Sequence, residues 1–397
     1  MIESIRAHQP TGLVDQKDRS LVKSMGRTFR WIKDKLDPIT ILAHCLFFLA
    51  ARAVVFTSSR TFKESKCDYE RVARSRQTLQ TLGGQEVNLP MPDGHQMSAM
   101  YLDTKRCLEK LIELGGEKGR KPLANGLVQD ILFIPPHQTE LCTLIERMGL
   151  PLHEEEGRQY IHLGIPKILG VPEADQAETM PGTVIYAPGS GHIFEYRRPT
   201  IGTFMIGYGM NMLVFHYSQT GQSEGKISEQ ATYDNVEAAY RYLKQKDLPD
   251  QKILGYGHCM GGGPILELAS KYPIALLLDR VFADMGDFAK LRATRRLPRF
   301  LHFLAEPIKR VMNRCFNYDN RKKIEHVQGR VALIEAARDE IIPGAYIQEL
   351  YDHAMQAQTK VKLVIDSDHD RDLVSDESAR LSLGRFLTES NLIGNFV

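Results

Sequence analysis

The segment 252–264 constrains the fold more than any other part of this sequence. It is an apolar run that passes into glycines on both sides of one cysteine, Cys259, and then into a second apolar run. Glycine accepts a tight turn and the close approach of neighbouring backbone, which larger residues do not. The segment therefore predicts a buried strand, a sharp turn and a helix, with the thiol of Cys259 at the apex of the turn.

The glycine spacing around this cysteine is that of a nucleophile elbow. Gly257 and Gly261 stand two residues before and two residues after Cys259, which reproduces the pattern G-x-S-x-G with cysteine in place of serine. In such a turn the nucleophile has a strained backbone, and a side chain at either flank would collide with the strand or the helix. A glycine-rich turn around an inert, buried cysteine has the same spacing, so the motif needs support from elsewhere in the chain.

Composition and charge exclude several classes of protein. The chain has 397 residues, 43% of them hydrophobic, which is enough for one large domain with an extension or for two domains. Lys and Arg (51) nearly balance Asp and Glu (49), so no bulk basic field favours nucleic acid. The six cysteines show no C-x-x-C pairing, which argues against a disulfide framework or a zinc site and fits a reducing compartment. We expect a cytoplasmic protein without metal or cofactor.

From residue 182 onward, strands and helices alternate with short links. The predicted strands are 183–187, 212–217, a strand ending at Leu254, 274–279, 331–334 and 361–365, and the helices between and after them are about 197–209, 232–246, 261–271, 344–357 and 372–389. This alternation predicts a mostly parallel sheet with helices on both faces. A period of two over 86–102, around Asp93-Gly94, predicts a leading hairpin. Residues 104–117 and 138–149 have helical spacing and are separated by an apolar, strand-like segment, 127–134. The place of the region 104–180 in the fold is not predicted, and it suggests an insertion or extra strands.

Two further segments stand outside this alternation. The basic, helical segment at about 287–326 lies between two strands and is predicted to form a cap, either a solvated excursion or a substrate gate. Residues 1–82 are predicted to form an N-terminal helical extension. Its apolar part, 39–56, contains an uninterrupted run of 13 residues, short of the roughly 18 that a membrane span needs. A helix packed on the main domain and a peripheral membrane contact stay open for it, as does export as an effector without a cleaved signal peptide.

Two strand ends supply partners for the thiol. A thiol nucleophile needs a base, and the base needs a carboxylate that fixes its tautomer. Functional residues of parallel sheets lie at the carboxyl ends of strands. Asp339 follows the predicted strand 331–334, and His369 follows the strand 361–365.

With these residues in this order, the chain resembles the α/β-hydrolases. The resemblance rests on the elbow, on the loops of Asp339 and His369, and on the stretches 186–191 and 217–225, and it covers about 84–390. It implies an α/β-hydrolase fold with Cys259 as the nucleophile, His369 as general base and acid, and Asp339 as the residue that orients His369. It also implies an oxyanion hole made by the backbone N–H groups of Met260 and Ser190.

Other interpretations of these residues compete. Asp284 follows the strand 274–279 and is an alternative partner for His369, while His258 and His192 are expected to be polar lining residues. The alternating carboxylates of 366–372, with Glu377 in the twelfth position, match a calcium loop except that Arg371 replaces the required glycine. The blander interpretation is that these carboxylates are solvated and raise the basicity of His369 by their charge.

The sequence thus predicts a hydrolase of a carboxylic ester or thioester, with a lipid-like acyl group favoured by the apolar helix and the cap. Acyl transfer through the same acyl-cysteine, peptide cleavage, and a non-catalytic interaction protein on a hydrolase scaffold are the alternatives. The cysteine has three explanations: a native cysteine hydrolase, an acyltransferase, or a serine enzyme whose nucleophile has been replaced. The sequence does not indicate the oligomeric state.

Overall fold

The computed structural model describes residues 66–123, 128–164, 180–190, 192–373 and 377–393. The segment 39–56, with its two predicted roles, lies outside these residues. Among the helices that are described, none is long and apolar enough to cross a membrane. The boundary between an extension over 1–82 and a domain over 84–390 stays a prediction.

Twelve strands run through the described part of the chain. In chain order they are β1 (Gln85–Pro90), β2 (Gln96–Leu102), β3 (Glu117–Pro122), β4 (Val128–Ile134), β5 (His153–Glu155), β6 (Arg158–His162), β7 (Thr183–Ala187), β8 (Asn211–Phe215), β9 (Ile253–His258), β10 (Ala275–Asp279), β11 (Arg330–Ala336) and β12 (Thr359–Ile365). Eight of them form the main sheet in the order β1-β2-β8-β7-β9-β10-β11-β12. Only β2 runs in the direction opposite to the other seven strands, so the predicted mostly parallel sheet is confirmed.

The central strands β7, β8, β9 and β10 are buried over their whole length. This explains why they are continuous apolar runs rather than alternating patterns, because helices cover both faces of a parallel sheet. The predicted hairpin is also confirmed, with Gln85 opposite Tyr101 in the β1–β2 pair. The predicted end of the third strand at Leu254 is wrong: β9 continues to His258, because its glycine-containing end pairs with β7 on one side and β10 on the other.

Eleven α-helices are described. They are α1 (Lys66–Thr81), α2 (Thr104–Glu113), α3 (Thr139–Arg147), α4 (Arg198–Gly202), α5 (Glu229–Lys244), α6 (Gly262–Ala269), α7 (Met285–Arg296), α8 (Ala305–Cys315), α9 (Asn320–Ile324), α10 (Gly344–His353) and α11 (Glu377–Glu389). The helix expected over 197–209 is divided, since α4 passes into a π-helical turn at Thr203–Gly207. Side-chain caps start α5 at Ser228 and α7 at Asp284.

The described part of the region 104–180 contains a second sheet. Its strand β4 and the helices α2 and α3 confirm the predicted segments 127–134, 104–117 and 138–149. The four strands of this sheet are antiparallel in the order β3-β4-β6-β5. Leu132 of β4 and Ile161 of β6 join the same apolar core as Val184 of β7, and Leu79 of α1 belongs to that core as well. The second sheet therefore extends the main core rather than forming a separate one.

The cap is the insertion between β10 and β11, and it consists of α7, a 3-10 segment (Arg299–Leu304), α8 and α9. Lys309 on α8 lies 2.5 Å from the carboxylate of Asp287 on α7, and Lys290 lies 2.7 Å from Glu306. Ala305, Val311 and Met312 bury the inner face of α8. These contacts hold the two long cap helices together beside the carboxyl end of the sheet.

Candidate active site

The turn after β9 places Cys259 at its apex in a left-handed conformation. The φ angle of Cys259 is 51°, a region that a residue with a Cβ rarely adopts. A Cβ on Gly261 would stand 2.0 Å from the carbonyl oxygen of Ala187, and one on Gly257 would stand 2.7 Å from the carbonyl oxygen of Gly261. Glycine alone fits at both flanks, which is the physical reason for the spacing in the sequence. The side chain of Cys259 is partly exposed.

His369 and Asp339 meet at the ends of two neighbouring strands. The Nδ1 atom of His369 lies 2.7 Å from Oδ2 of Asp339. The other carboxylate oxygen of Asp339 accepts the backbone N–H groups of Ile341 and Ile342 at 2.7 and 2.8 Å. The Asp339 side chain is 1% exposed, so its carboxylate is held from both sides. With Nδ1 engaged, Nε2 is the nitrogen of His369 left for the thiol.

The basicity of His369 comes from this pairing. Burial by itself lowers the pKa of His369, but hydrogen bonds to Asp339 and Cys259 outweigh it and raise the pKa to about 10. The carboxylates of 366–372 are not among the main causes of this shift in the pKa of His369. Asp366 instead pairs with Arg338 at 3.2 Å, and Asp368 accepts backbone N–H groups of its own loop.

The turn that follows β7 lies against Cys259. A Cβ on Gly189 would stand 3.3 Å from the Cβ of Cys259, and the next residue along this turn is Ser190. On the other side, Met260 is 2% exposed and belongs to the 3-10 turn that leads into α6. The two predicted oxyanion residues thus flank the cysteine from separate segments. Their role as N–H donors stays a prediction.

A buried ionic cluster lies behind the site. It consists of Arg197, His258, Asp279, Arg280 and Asp372. Arg280 pairs with both carboxylate oxygens of Asp279, at 2.7 and 2.8 Å, and its Nη1 donates to the carbonyl oxygens of Asp368 and Arg371 at 2.8 and 2.7 Å. These two carbonyls flank His369 in the chain. Arg280 therefore holds the His369 loop against the end of β10.

Arg197 holds the same loop from the other side. Its Nη1 donates to Asp372 at 2.9 Å and to the carbonyl of Asp370 at 3.3 Å, and its Nη2 lies 3.3 Å from Nε2 of His258. The ring of His258 lies 5.4 Å from that of His369, and its Nδ1 lies 3.2 Å from Asp279. Burial lowers the pKa of His258 well below its usual value despite the hydrogen bond to Asp279. His258 is an internal support for His369, and the expectation that it lines a polar cleft is wrong.

Comparisons with known proteins bear on the superfamily of this chain. No model of a known protein family matches the chain. Lysophosphatidylserine lipase ABHD12 of Danio rerio is 27% identical over 161 residues, which cover 38% of this chain and 41% of that protein. The α/β-hydrolase domain-containing protein aho-3 of Caenorhabditis elegans is 26% identical over 172 residues, 40% of this chain and 51% of that protein. A solved α/β-hydrolase of Vibrio vulnificus is 13% identical, covering 89% of this chain and 93% of its own, with a TM-score of 0.49.

The curated relatives are matched over less than two thirds of their own length. The matches nevertheless combine with the strand–turn–helix of Cys259 and with the order of Cys259, Asp339 and His369 along the chain. This chain belongs to the α/β-hydrolase superfamily.

The contacts of Asp284 and of the calcium-loop pattern favour other roles for these residues. Asp284, the alternative partner of His369, caps α7 by accepting the N–H of Asp287 at 2.7 Å. Asp372 of the calcium-loop pattern accepts from Arg197 and from Thr200, at 2.9 and 3.0 Å. Within the described ranges no group of three or more His, Cys, Asp or Glu side chains could hold a metal ion.

Sequence reasoning missed the two arginines that hold the His369 loop of this α/β-hydrolase. The signal available for Arg280 was an adjacent Asp-Arg pair at the carboxyl end of a buried strand. Arg197 had no comparable signal. A third arginine, Arg292 on α7, belongs to the predicted cap: burial and its neighbours Arg296 and Arg295 lower its pKa, while the charges of Cys259 and Asp339 act in the opposite sense. The cap thus brings a guanidinium towards the site.

Proposed function

We propose that this chain hydrolyses carboxylic esters or thioesters through a covalent acyl-enzyme on Cys259. One observation carries the proposal: a partly exposed thiol at a left-handed apex interacts electrostatically with His369, which is itself paired with the buried carboxylate of Asp339. A nucleophile, a base and an orienting carboxylate in contact are the requirement for acyl transfer.

In the first half-reaction, His369 takes the proton of the Cys259 thiol, and the sulfur forms a bond to the acyl carbon of the substrate. The carbonyl oxygen becomes an oxyanion, for which the backbone N–H groups of Met260 and Ser190 are the proposed donors. When the intermediate collapses, the bond from the acyl carbon to the leaving alcohol or thiol breaks. The leaving group receives the proton from His369, and the acyl group stays on the sulfur as a thioester.

In the second half-reaction, water attacks the thioester. His369 takes a proton from the water, the acyl carbon–sulfur bond breaks, and the proton returns to the sulfur, which releases the free acid. Asp339 orients His369 throughout, because two backbone N–H groups hold its carboxylate in place beside Nδ1. The alternative in which another acceptor replaces water uses the same intermediate.

A lipid-like acyl group is the proposed substrate class. The support is one matched relative, ABHD12 of Danio rerio, which is named a lysophosphatidylserine lipase. Such a substrate carries an acyl ester beside an anionic headgroup. Arg292, which lies within the electrostatic influence of Cys259, is a candidate to face that negative charge.

The test compares turnover of p-nitrophenyl esters and acyl thioesters of graded chain length. Cys259→Ala should lose about 10⁴-fold or more in kcat, since removal of a nucleophile leaves only binding and oxyanion stabilisation. Cys142→Ala is the matched control, because Cys142 is also a partly exposed thiol, and it should keep full activity. Cys259→Ser should retain a measurable fraction.

Intact-protein mass spectrometry after acid quench should show an acyl adduct on wild type and none on Cys259→Ala. Added alcohol or thiol acceptors separate hydrolysis from transfer, since a transferase yields the adduct and little free acid. Equal turnover of wild type and Cys259→Ala would exclude the mechanism.

A further inference from the structure

The outer end of the cap exposes two phenylalanines on one side of a short helix. Phe300 is 75% exposed and Phe303 is 71% exposed, and both lie in the 3-10 segment Arg299–Leu304. A 3-10 helix has three residues per turn, so residues three apart lie one above the other. The two rings therefore project together from the same face. Adjacent exposed apolar side chains indicate an interaction surface, whereas single scattered ones need no explanation.

The charged residues around these rings are almost all basic. Over 290–314 the chain has eight Lys or Arg residues and one acidic residue, Glu306. Arg295, Arg296 and Arg299 are exposed within five residues of Phe300. The whole chain has a formal net charge of only +2, so the positive charge is concentrated on the cap. We call residues 295–303 the cap tip.

The cap tip is attached to the candidate site. Arg295 donates from Nη1 to the carbonyl oxygen of Glu340 at 2.9 Å, next to Asp339. The same helix, α7, starts at the end of β10 and carries Arg292 towards Cys259. A binding partner of the cap tip would therefore lie close to the candidate site.

We infer that the cap tip docks on an anionic lipid surface. Aromatic side chains that enter the headgroup region, flanked by basic side chains that face anionic lipids, are the physical requirements for interfacial binding. A second copy of this chain is a poorer occupant, because it would bring one arginine-rich face against another. A soluble polyanion would satisfy the arginines and leave both phenylalanine rings in water.

The test is flotation of the full-length protein with vesicles of phosphatidylcholine alone or with 30% phosphatidylglycerol. Wild type should bind the anionic vesicles, bind neutral ones much more weakly, and dissociate at high salt, which screens the attraction. Arg296→Gln/Arg299→Gln should weaken binding by about 30-fold, since each basic side chain near an anionic surface contributes roughly fivefold. Phe300→Ser/Phe303→Ser should weaken it by about 10-fold or more.

Matched controls change the same chemistry elsewhere on the surface. Met355→Ser removes an apolar side chain that is 73% exposed, and Arg120→Gln/Lys322→Gln removes two charges whose side chains are 80% and 81% exposed. Both should bind vesicles like wild type. The cap-tip variants should keep wild-type activity on a soluble short-chain ester, which shows that they fold.

Three outcomes would overturn the inference: no binding of wild type to anionic vesicles, unchanged binding of the cap-tip variants, or equal binding to neutral vesicles. A single-stranded oligonucleotide that binds wild type and the phenylalanine variant equally, while vesicles do not bind, would identify a polyanion as the occupant instead. Cys259→Ala should bind vesicles normally, because docking does not need the acyl-enzyme. A failure of docking and a failure of the proposed function are therefore separate results.

Discussion

Two regions of this protein contain a nucleophile-type side chain, a histidine and an aspartate in contact. One is Cys259 with His369 and Asp339. The other is Ser218, whose Oγ lies 3.1 Å from Nε2 of His95, while the carboxylate of Asp93 contacts Nδ1 of the same ring. By residue type and by contact between side chains, the two constellations look alike.

Access and backbone separate them. Ser218 is fully buried, its Oγ accepts an N–H from Asn235 at 3.0 Å, and its backbone N–H donates back to the same side chain at 3.0 Å. Cys259 is partly exposed at a left-handed turn. The carboxylates are reversed, since the Asp93 side chain is 63% exposed and that of Asp339 is 1% exposed. The contact between His95 and Ser218 holds the β1–β2 hairpin against the loop after β8. An accessible nucleophile and a buried carboxylate, rather than residue types alone, distinguish a candidate site from a structural contact.

The largest expected effect tests the two histidines against each other. His369→Gln should lower kcat/KM on a p-nitrophenyl ester by about 10³-fold or more, because the proton acceptor of Cys259 is lost. His95→Gln should change kcat/KM by less than about threefold, since Ser218 has no access to substrate. Circular dichroism of both variants checks that they fold. Comparable losses from the two substitutions would mean that the constellations are not functionally distinct.

The next effect concerns Arg280, which holds the loop of His369. The Ser218 constellation has no such arginine among its described contacts. Arg280→Met leaves the buried carboxylate of Asp279 without its cation, so the free energy of unfolding should fall by about 3–5 kcal/mol. Arg280→Lys keeps the charge but loses the fork that binds two carbonyls of the His369 loop. It should fold and lower kcat by about 10-fold with little change in KM.

The control for Arg280 is Arg241→Met, because Arg241 forms an exposed ion pair on α5. Its free energy of unfolding should change by less than about 1 kcal/mol. If Arg280→Lys has wild-type kcat, the arginine stabilises the fold without positioning His369.

The most gradual expected effect is a pH dependence of stability. The pKa of His369 in the folded chain is about 10, above the value of roughly 6.5 expected when the chain is unfolded. Its contribution to stability is therefore complete below about pH 6.5 and is lost as the pH rises towards 10, by at most about 5 kcal/mol. Urea unfolding of wild type and His369→Gln at pH 6, 8 and 10 measures this. The difference between the two proteins should shrink with rising pH, and a constant difference would refute the shift.

Much of the fold was predictable because its signals are local. The alternating apolar segments after residue 182 each reflect burial of one strand, and the glycines around Cys259 reflect one crowded turn. Only β4 of the second sheet was predictable, from the apolar run 127–134, because the other three strands are short or polar and are separated by irregular links. Their apolar faces become recognisable only where they meet the core of the main sheet.

The sequence by itself determined the strand–turn–helix of Cys259 and brought Asp339 and His369 to neighbouring strand ends, since spacing and chain order are enough for both. Only the tertiary structure decided that Asp339, and not Asp284, pairs with His369. It also decided that Arg280 reaches carbonyls 88 and 91 residues away. Contacts at such separations depend on how strands and loops pack in space, and no periodic pattern along the chain encodes them.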